Sequence, residues 1–322
     1  MTVSFKRSDK EPLISVIVPA FNRAGTLAGT AASVLQQTYT NIELIIADDN
    51  STDRTRDVAE ELSRTDRRIR VLQNNRTKGA PGSRNTGLCA AHGQWVVFLD
   101  SDDCLEPQMI DTLLARASTG EAGVVTCHSR VMEQRGEQQI QTGEFCWMAS
   151  GDIRSSILSG ETYVDMNAAL IQREALLLIS GLDEHCPSYQ EWDLHIRLCQ
   201  LCQYDCVPEP LVRYHQHAGQ MSKDALLCVH GLLHIYRNHK RLWKTQKLSD
   251  NWKHRILSVS QDIRKLDRQR INCLLKLLRI EPRIIYWLPE RFMARIITGL
   301  TRKTRHLAGI KAKTDKSHDV TT

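Results

Sequence analysis

Three short polar clusters stand out because each follows a run of apolar residues. They are Phe21-Asn22-Arg23, Asp48-Asp49-Asn50 and Asp100-Ser101-Asp102-Asp103. The third cluster places three carboxylates side by side, and such a cluster repels itself unless a cation lies there. Mg²⁺ and Mn²⁺ prefer oxygen ligands and commonly share them with a substrate diphosphate. The first hypothesis is therefore a metal site that handles a diphosphate.

The elements around these clusters alternate between strand and helix patterns. Apolar runs predict strands at 13–19, 42–47, 69–72 and 95–99, with helices at 26–37, 53–63 and 84–91 between them. This alternation predicts a parallel sheet covered by helices on both faces. Ligands of such sheets bind beyond the carboxyl ends of the strands. Carboxylates there also serve as helix caps, but two Asp-rich strand ends in one sheet favour the chemical interpretation.

The second half of the chain has a weaker pattern. A strand is predicted at 124–127, and the polar stretch to 148 fits either a hairpin or a flexible acceptor loop. A helix is predicted at 189–201, and from about residue 226 the chain is mostly helical and basic. No Gly-x-x-x-x-Gly-Lys loop is present, which disfavours a P-loop nucleotide hydrolase. No Gly-x-Gly-x-x-Gly follows the first strand, which disfavours a dinucleotide-binding domain.

Length and composition indicate one large globular domain with an appendage. The chain has 322 residues, of which 41% are hydrophobic and 25% charged, and this excludes a wholly disordered chain or a fibre. No apolar run is long enough for a transmembrane helix, and the start of the chain lacks the apolar core of an export signal. We therefore expect a cytoplasmic protein whose ten cysteines are reduced thiols.

Four segments together resemble the family-2 glycosyltransferases with the GT-A fold. They are SVIVPAFNR at 15–23, DDNSTD at 48–53, Gly79 followed by SRNTG at 83–87, and FLDSDD at 98–103. Their order and spacing are those of the family, tightly over about 12–115 and more loosely to about 222. The resemblance implies an α/β fold of the nucleotide-diphospho-sugar transferase type, with a mainly parallel sheet flanked by helices. It also implies an inverting transfer from a nucleotide-sugar that depends on Mg²⁺ or Mn²⁺.

The resemblance implies a donor site in the first half. Pro19 and Phe21 would line the nucleobase pocket beside Asn22, and Asp49 would accept a hydrogen bond from the base. Phe21 could instead be a packed core aromatic. Lys78 and Arg84 would lie near the charge of the diphosphate, or Arg84 would brace the loop. Asp102 would contact the ribose and the metal, and Asp103 would be the chief metal ligand. Asp100 would orient these two carboxylates. Arg84 could instead form a structural salt bridge.

The catalytic base of the family is commonly the Asp of a Glu-Asp-x-Asp segment before a helix. The matching run here is Gln190-Glu191-Trp192-Asp193, so the base position falls on Glu191. Either carboxylate can serve as a base where geometry allows. Gln190 is a second departure from the family pattern. Asp193 is the reserve candidate, although it is more often structural or capping.

Two histidine-containing segments have alternative interpretations. The run ending in His217 resembles a family segment that would bring this histidine to the metal or diphosphate, although His215 stands where Arg is frequent. A purely structural histidine is the alternative. Cys199, Cys202 and Cys206 with His195 have zinc-ligand types. A second cysteine pair at matching spacing is missing, so packed thiols are the preferred interpretation.

The charge is distributed unevenly along the chain. The first 230 residues carry 21 Lys and Arg against 30 Asp and Glu, whereas the last 92 carry 22 against 7. The predicted organisation is a catalytic domain at 1–225 (donor half 12–115, acceptor half 116–225), a basic amphipathic helical extension at 226–310 and a disordered tail at 311–322. The extension would bind an anionic membrane surface or pack on the protein. Nucleic acid is not expected as a partner.

The resemblance implies a transferase that uses a nucleotide-sugar, with UDP-sugars favoured, and the basic extension predicts a place on the inner face of the cytoplasmic membrane. The acceptor that the resemblance implies is a cell-surface glycan, such as lipopolysaccharide or exopolysaccharide, or a lipid-linked precursor. The absence of a Gln-x-x-Arg-Trp motif and of transmembrane helices argues against a processive synthase. Two alternatives remain: a nucleotidyltransferase on a similar fold, whose usual Gly-rich N-terminal loop is missing, and a non-catalytic scaffold that binds membrane or partners through its basic tail.

Overall fold

A computed structural model of the chain describes residues 11–135, 138–216 and 225–245. Nine strands are present in this part: β1 (Ile14–Ala20), β2 (Ile42–Asp48), β3 (Ile69–Gln73), β4 (Trp95–Phe98), β5 (Cys104–Leu105), β6 (Val124–Arg135), β7 (Gln138–Phe145), β8 (Ala169–Gln172) and β9 (Tyr204–Gln216). The helices of the same part are α1 (Leu27–Leu35), α2 (Thr55–Thr65), α3 (Ala80–Ala90), α4 (Met109–Thr119), α5 (Arg154–Ser159), α6 (Arg173–Leu178), α7 (Gln190–Leu198) and α8 (Ala225–Thr245).

All nine strands form one sheet in the order β3-β2-β1-β4-β8-β6-β9-β5, and β7 pairs with β6. The first four strands in this order are parallel, with Ile14 opposite Ile42 and Val18 opposite Ile46. Every residue of β1 and β2 is buried, as expected for parallel strands covered on both faces. β8 joins β4 and β6 in antiparallel register, so the second half of the sheet is mixed. The α/β fold class is confirmed.

The strands of the first half begin and end close to their predicted limits because each is rich in apolar residues. Helix α3 differs, since it begins at Ala80 rather than at the predicted residue 84. Pro81 lies in its first turn, where the fixed φ of proline suits a helix and the missing N–H costs nothing. The polar stretch after residue 127 forms a hairpin of β6 and β7, so the hairpin interpretation is correct and the flexible loop is not.

Alternate residues of β1 pack on opposite faces of the sheet. Val16 and Val18 join the apolar cluster that includes α1 and α4. Ile17 faces α3, where a Cβ added to Gly87 would lie 2.4 Å from Ile17 Cγ2. This contact shows that α3 approaches the sheet closely enough to require glycine, and it fixes the height of the helix above the strand ends.

Helix α8 is part of the compact unit that ends at Ser249. Trp243 is buried, and a Cβ at Gly231 would lie 2.5 Å from the Ser188 carbonyl oxygen. The first turns of the predicted basic extension are thus packed on the protein, whereas its remainder and the predicted disordered tail lie outside the described residues. No helix in the described part of the chain is long and apolar enough to cross a membrane.

Candidate active site

The three polar clusters meet at one edge of the sheet. The Asn22 N–H donates to Ser51 Oγ at 3.0 Å, and the Thr52 N–H donates to Asn22 Oδ1 at 2.9 Å, which joins the turns after β1 and β2. Arg23 Nε donates to Asp102 Oδ2 at 3.1 Å and so joins the turn after β1 to the turn after β4. Parallel strands that end together bring these turns together, as the sequence predicted.

The residues predicted to bind the nucleobase lie around an open aromatic ring. Pro19 is buried near the end of β1, whereas the Phe21 side chain is 40% exposed and has the Lys78 ammonium 5.2 Å from its ring centre. Phe21 is therefore not a packed core aromatic. Both oxygens of the buried Asp49 carboxylate already accept hydrogen bonds, from Asn74 Nδ2 at 2.6 Å and from the Gly79 N–H at 2.8 Å. Its contact with a base stays a prediction.

Arg84, predicted to lie near the diphosphate or to form a structural salt bridge, forms an ion pair with Asp100. Its buried guanidinium donates to Asp100 Oδ1 and, at 3.4 Å, to Gln190 Oε1. Its Nε has no hydrogen-bond partner among the described residues. Arg84 therefore braces the strand end of β4 against the first turn of α7, where the predicted base lies.

Asp103, the predicted chief metal ligand, is the most buried carboxylate of its cluster, and its role as a ligand stays a prediction. It is 1% exposed, and its carboxylate accepts hydrogen bonds from Asn167 Nδ2 at 3.0 Å and from the His215 N–H at 2.8 Å. Burial raises its pKa well above the ordinary value, and the charge of Asp100 raises it further. The side chains of Asp100 and Asp102 are 37% and 17% exposed. These two are the accessible carboxylates of the cluster.

The Asp100 and Asp102 carboxylates fit a divalent ion that is shared with a substrate. Mg²⁺ usually takes one or two carboxylates together with phosphate oxygens rather than an all-protein cage. No group of three or more His, Cys, Asp or Glu residues in the described ranges could hold a metal by itself. The third predicted ligand, His217, lies outside the described residues.

Glu191 lies in the first turn of α7 and is half-buried. The Tyr163 hydroxyl donates a hydrogen bond to Glu191 Oε1. Burial raises the pKa of Tyr163 well above its ordinary value, and the charge of Glu191 raises it further, so the phenol remains protonated and remains a donor. This contact holds the Glu191 carboxylate in one orientation.

Asp193, the reserve candidate for the catalytic base, is buried and paired. Its buried carboxylate accepts from Arg197 Nε at 2.9 Å and lies 2.7 Å from His239 Nε2. Burial alone would raise its pKa, but the hydrogen bond with His239 and the charge of Arg197 lower it. Asp193 follows Glu191 by two positions in α7, so the two side chains lie on different faces of the helix. Asp193 is a structural partner of α8.

The cysteines near α7 are packed thiols. Both Cys199 and Cys202 are buried, and burial raises the pKa of each thiol to about 12. His195 Nδ1 lies 2.9 Å from the Tyr204 hydroxyl, and burial lowers the pKa of this histidine to about 3.

Three features of the site were missed from the sequence. Tyr163 holds Glu191 from 28 positions away, and Asn167 both donates to Asp103 and accepts from the Asp100 N–H at 2.8 Å. Helix α8 supports α7, since the Trp243 ring packs edge-on against Trp192 with centroids 6.0 Å apart. No local pattern marks these residues, because each acts through a contact between distant segments.

Comparison with known proteins places this geometry in a family. Residues 15–176 match the family described as Glycosyl transferase family 2. An uncharacterized glycosyltransferase of Haemophilus influenzae is 30% identical over 224 residues, which cover 66% of this chain and 68% of that protein. The UDP-Glc:alpha-D-GlcNAc-diphosphoundecaprenol beta-1,3-glucosyltransferase WfgD of Escherichia coli is 48% identical over 91 residues, which cover 28% of this chain and 35% of that protein.

The structural comparison agrees on the fold. The crystal structure of Staphylococcus aureus TarS aligns with a TM-score of 0.65 at 17% identity, covering 87% of this chain and 50% of that one. The chain spans only 35–38% of the length of the first curated relatives it matches. From the family match and the alignment with the Haemophilus protein, this chain belongs to glycosyl transferase family 2.

Proposed function

We propose that this chain is an inverting, metal-dependent glycosyltransferase that moves a sugar from a nucleotide-sugar, with UDP-sugars favoured, to an acceptor hydroxyl. One observation carries the proposal. The accessible carboxylates of Asp100 and Asp102 lie at the strand ends, and Arg84 links Asp100 directly to the helix that presents Glu191. A diphosphate-binding edge is thereby tied to a candidate base, which is what a transfer reaction requires.

On the donor side, Phe21 offers an exposed ring for the nucleobase, with the Lys78 ammonium beside it. Asp100 and Asp102 would hold the divalent ion together with the donor diphosphate. When bound, such an ion neutralises the charge that develops on the leaving diphosphate. Asp103 supports this arrangement from below, since its carboxylate fixes Asn167, and Asn167 in turn accepts from the Asp100 N–H.

On the acceptor side, Glu191 takes the proton from the attacking hydroxyl. The acceptor oxygen forms a bond to the anomeric carbon as the bond from that carbon to the diphosphate breaks, and the electron pair leaves with the diphosphate. Attack from the side opposite the leaving group inverts the anomeric centre. Tyr163 keeps the Glu191 carboxylate aimed during this step, because its hydroxyl remains a donor.

The proposed acceptor is a cell-surface glycan or its lipid-linked precursor. The names of two relatives support this, since the Escherichia coli protein and a Campylobacter jejuni protein are described as glucosyltransferases acting on diphosphoundecaprenol and PP-undecaprenol sugars. A protein that works on such lipids gains from the excess of Lys and Arg in the last 92 residues, which would attract it to the anionic inner face of the cytoplasmic membrane.

Calorimetric titration with UDP, GDP and dTDP, each with and without Mn²⁺, tests the donor site. We expect Mn²⁺-dependent binding of one nucleotide, weakened at least about tenfold in Asp102→Asn because one of two ligand carboxylates is lost. Asp57→Asn is the matched control, since Asp57 is an exposed carboxylate of α2. Absence of binding by the folded protein, or equal binding by both variants, would overturn the donor-site proposal.

A further inference from the structure

An exposed aromatic ring packs against the residue that holds the proposed base. Trp147 is 39% exposed and packs edge-on against the Tyr163 ring, with centroids 6.0 Å apart and an interplanar angle of 60°. Tyr163 is the residue whose hydroxyl holds Glu191. Trp147 is thus joined to Glu191 through a single intervening side chain, that of Tyr163.

The segment that carries this ring is fixed to the sheet. The Gly151 N–H donates to the Tyr204 carbonyl at 2.8 Å, and the Tyr204 N–H donates back to the Gly151 carbonyl at 3.0 Å. Before Trp147, the Phe145 ring packs on Tyr214 with centroids 5.6 Å apart. Contacts with β9 therefore hold both ends of the segment, and Trp147 projects from a supported backbone.

We propose that Trp147 is the platform on which the pyranose ring of the acceptor lies. This inference rests on the proposed function. The reacting hydroxyl must come within hydrogen-bond reach of Glu191, so the sugar ring that bears it must extend over the neighbouring surface. The apolar C–H face of a pyranose buries well on an aromatic ring, and tryptophan offers the largest such area.

A membrane contact is the competing use of an exposed tryptophan. The contact between Trp147 and Tyr163 favours the sugar, because a ring that packs beside the support of the base serves the reacting substrate directly. A membrane anchor has no need of that position.

Equilibrium binding of hexyl pyranosides tests the platform without requiring turnover. The probes are the α- and β-hexyl pyranosides of glucose, galactose, N-acetylglucosamine and N-acetylgalactosamine, measured by NMR with and without UDP and Mn²⁺. We expect at least one probe to bind the wild type, Trp147→Ala to weaken it about tenfold or more, and Trp147→Phe to retain most of the affinity. Leu178→Ala, at an exposed apolar residue of α6, is the matched control and should change nothing.

The outcomes separate this inference from the proposed function. Probe binding that survives Trp147→Ala, or no probe binding by the wild type, overturns the platform whether or not UDP binds. Failure of every variant to bind a nucleotide overturns the donor site instead. Vesicles of phosphatidylglycerol form the last arm: binding that is unchanged in Trp147→Ala is expected, and binding lost in that variant while probe affinity stays constant would make Trp147 a membrane contact.

Discussion

The two halves of the site are built in different ways. In the donor half (residues 12–115), the functional side chains come from turns that directly follow neighbouring parallel strands, and bonds between those turns hold them. In the acceptor half (residues 116–225), a single candidate base is held by side chains from distant segments. Tyr163 bonds to Glu191 itself, whereas α8 anchors the two residues that follow it on α7.

This difference separates two sources of precision. Strand register places the donor residues, so the backbone largely determines where they lie. Packing places Glu191, so its position depends on several side chains at once. Several contacts couple the halves. Arg84 donates to Gln190, and Asn167 donates to Asp103. Glu184 accepts from Arg76 Nε and, at 3.2 Å, from the Thr77 N–H. A substitution in the donor half should therefore have different effects from a substitution in the acceptor half.

The largest effect is expected from Glu191→Gln. Removing the proposed base should lower the transfer rate about 10²–10⁴-fold, because general base catalysis contributes that much. Nucleotide affinity should stay at the wild-type value, since Glu191 belongs to the acceptor half. Rates from released nucleotide diphosphate and affinities from calorimetry measure the two. Glu209→Gln, at an exposed carboxylate of β9, is the control, and a full rate in Glu191→Gln would remove it as the base.

The next effect concerns stability. Asp193→Ala should lower the free energy of unfolding by about 3 kcal/mol, because it leaves the Arg197 guanidinium and His239 without their buried partner. Asp57→Ala removes an exposed carboxylate paired with Arg54 and should cost under about 1 kcal/mol. Urea unfolding of both variants gives the comparison. Equal costs would mean that α8 is not held through Asp193.

A glycine pair tests the donor half. A Cβ at Gly82 would lie 1.8 Å from the Thr77 carbonyl oxygen, so Gly82→Ala must displace the turn that carries Lys78. We expect a loss of about 1–3 kcal/mol in stability and weaker nucleotide binding. Gly29→Ala is the helical control, with no atom within 4 Å of the new Cβ, and should stabilise α1 by about 0.5–1 kcal/mol. Unchanged nucleotide affinity in Gly82→Ala would uncouple that turn from the donor site.

The smallest effect is expected at Glu184, which links the donor half to the acceptor half. Burial alone would raise the pKa of Glu184, but hydrogen bonds from Asn85, Arg76 and Thr77 lower it from 4.5 to about 2. A lowered pKa means that the ionised form stabilises the fold above pH 4.5, and this stabilisation is lost as the pH falls toward 2. Glu184→Gln should therefore cost about 1–2 kcal/mol at pH 7 and almost nothing near pH 2. A cost that is constant with pH would contradict this.

The sequence predicted the donor half well and the acceptor half only in outline. Continuous apolar runs located β1 and β2, and the polar residues after them did meet as expected. The sequence did not reveal the burial of Asp103, because Asn167 and His215, which bond to its carboxylate, come from the other half of the chain. Tyr163 carries no local signal at all. Family resemblance located the position of Glu191, but only packing reveals what holds it.

The anomeric configuration of the product tests the central claim most directly. NMR of the material formed from an α-linked UDP-sugar and a hexyl pyranoside acceptor gives that configuration for the wild type and for Glu191→Gln. We expect a β-linked product from the wild type and almost none from the variant. An α-linked product, or a β-linked product formed equally fast by Glu191→Gln, would contradict an inverting transfer in which Glu191 takes the proton.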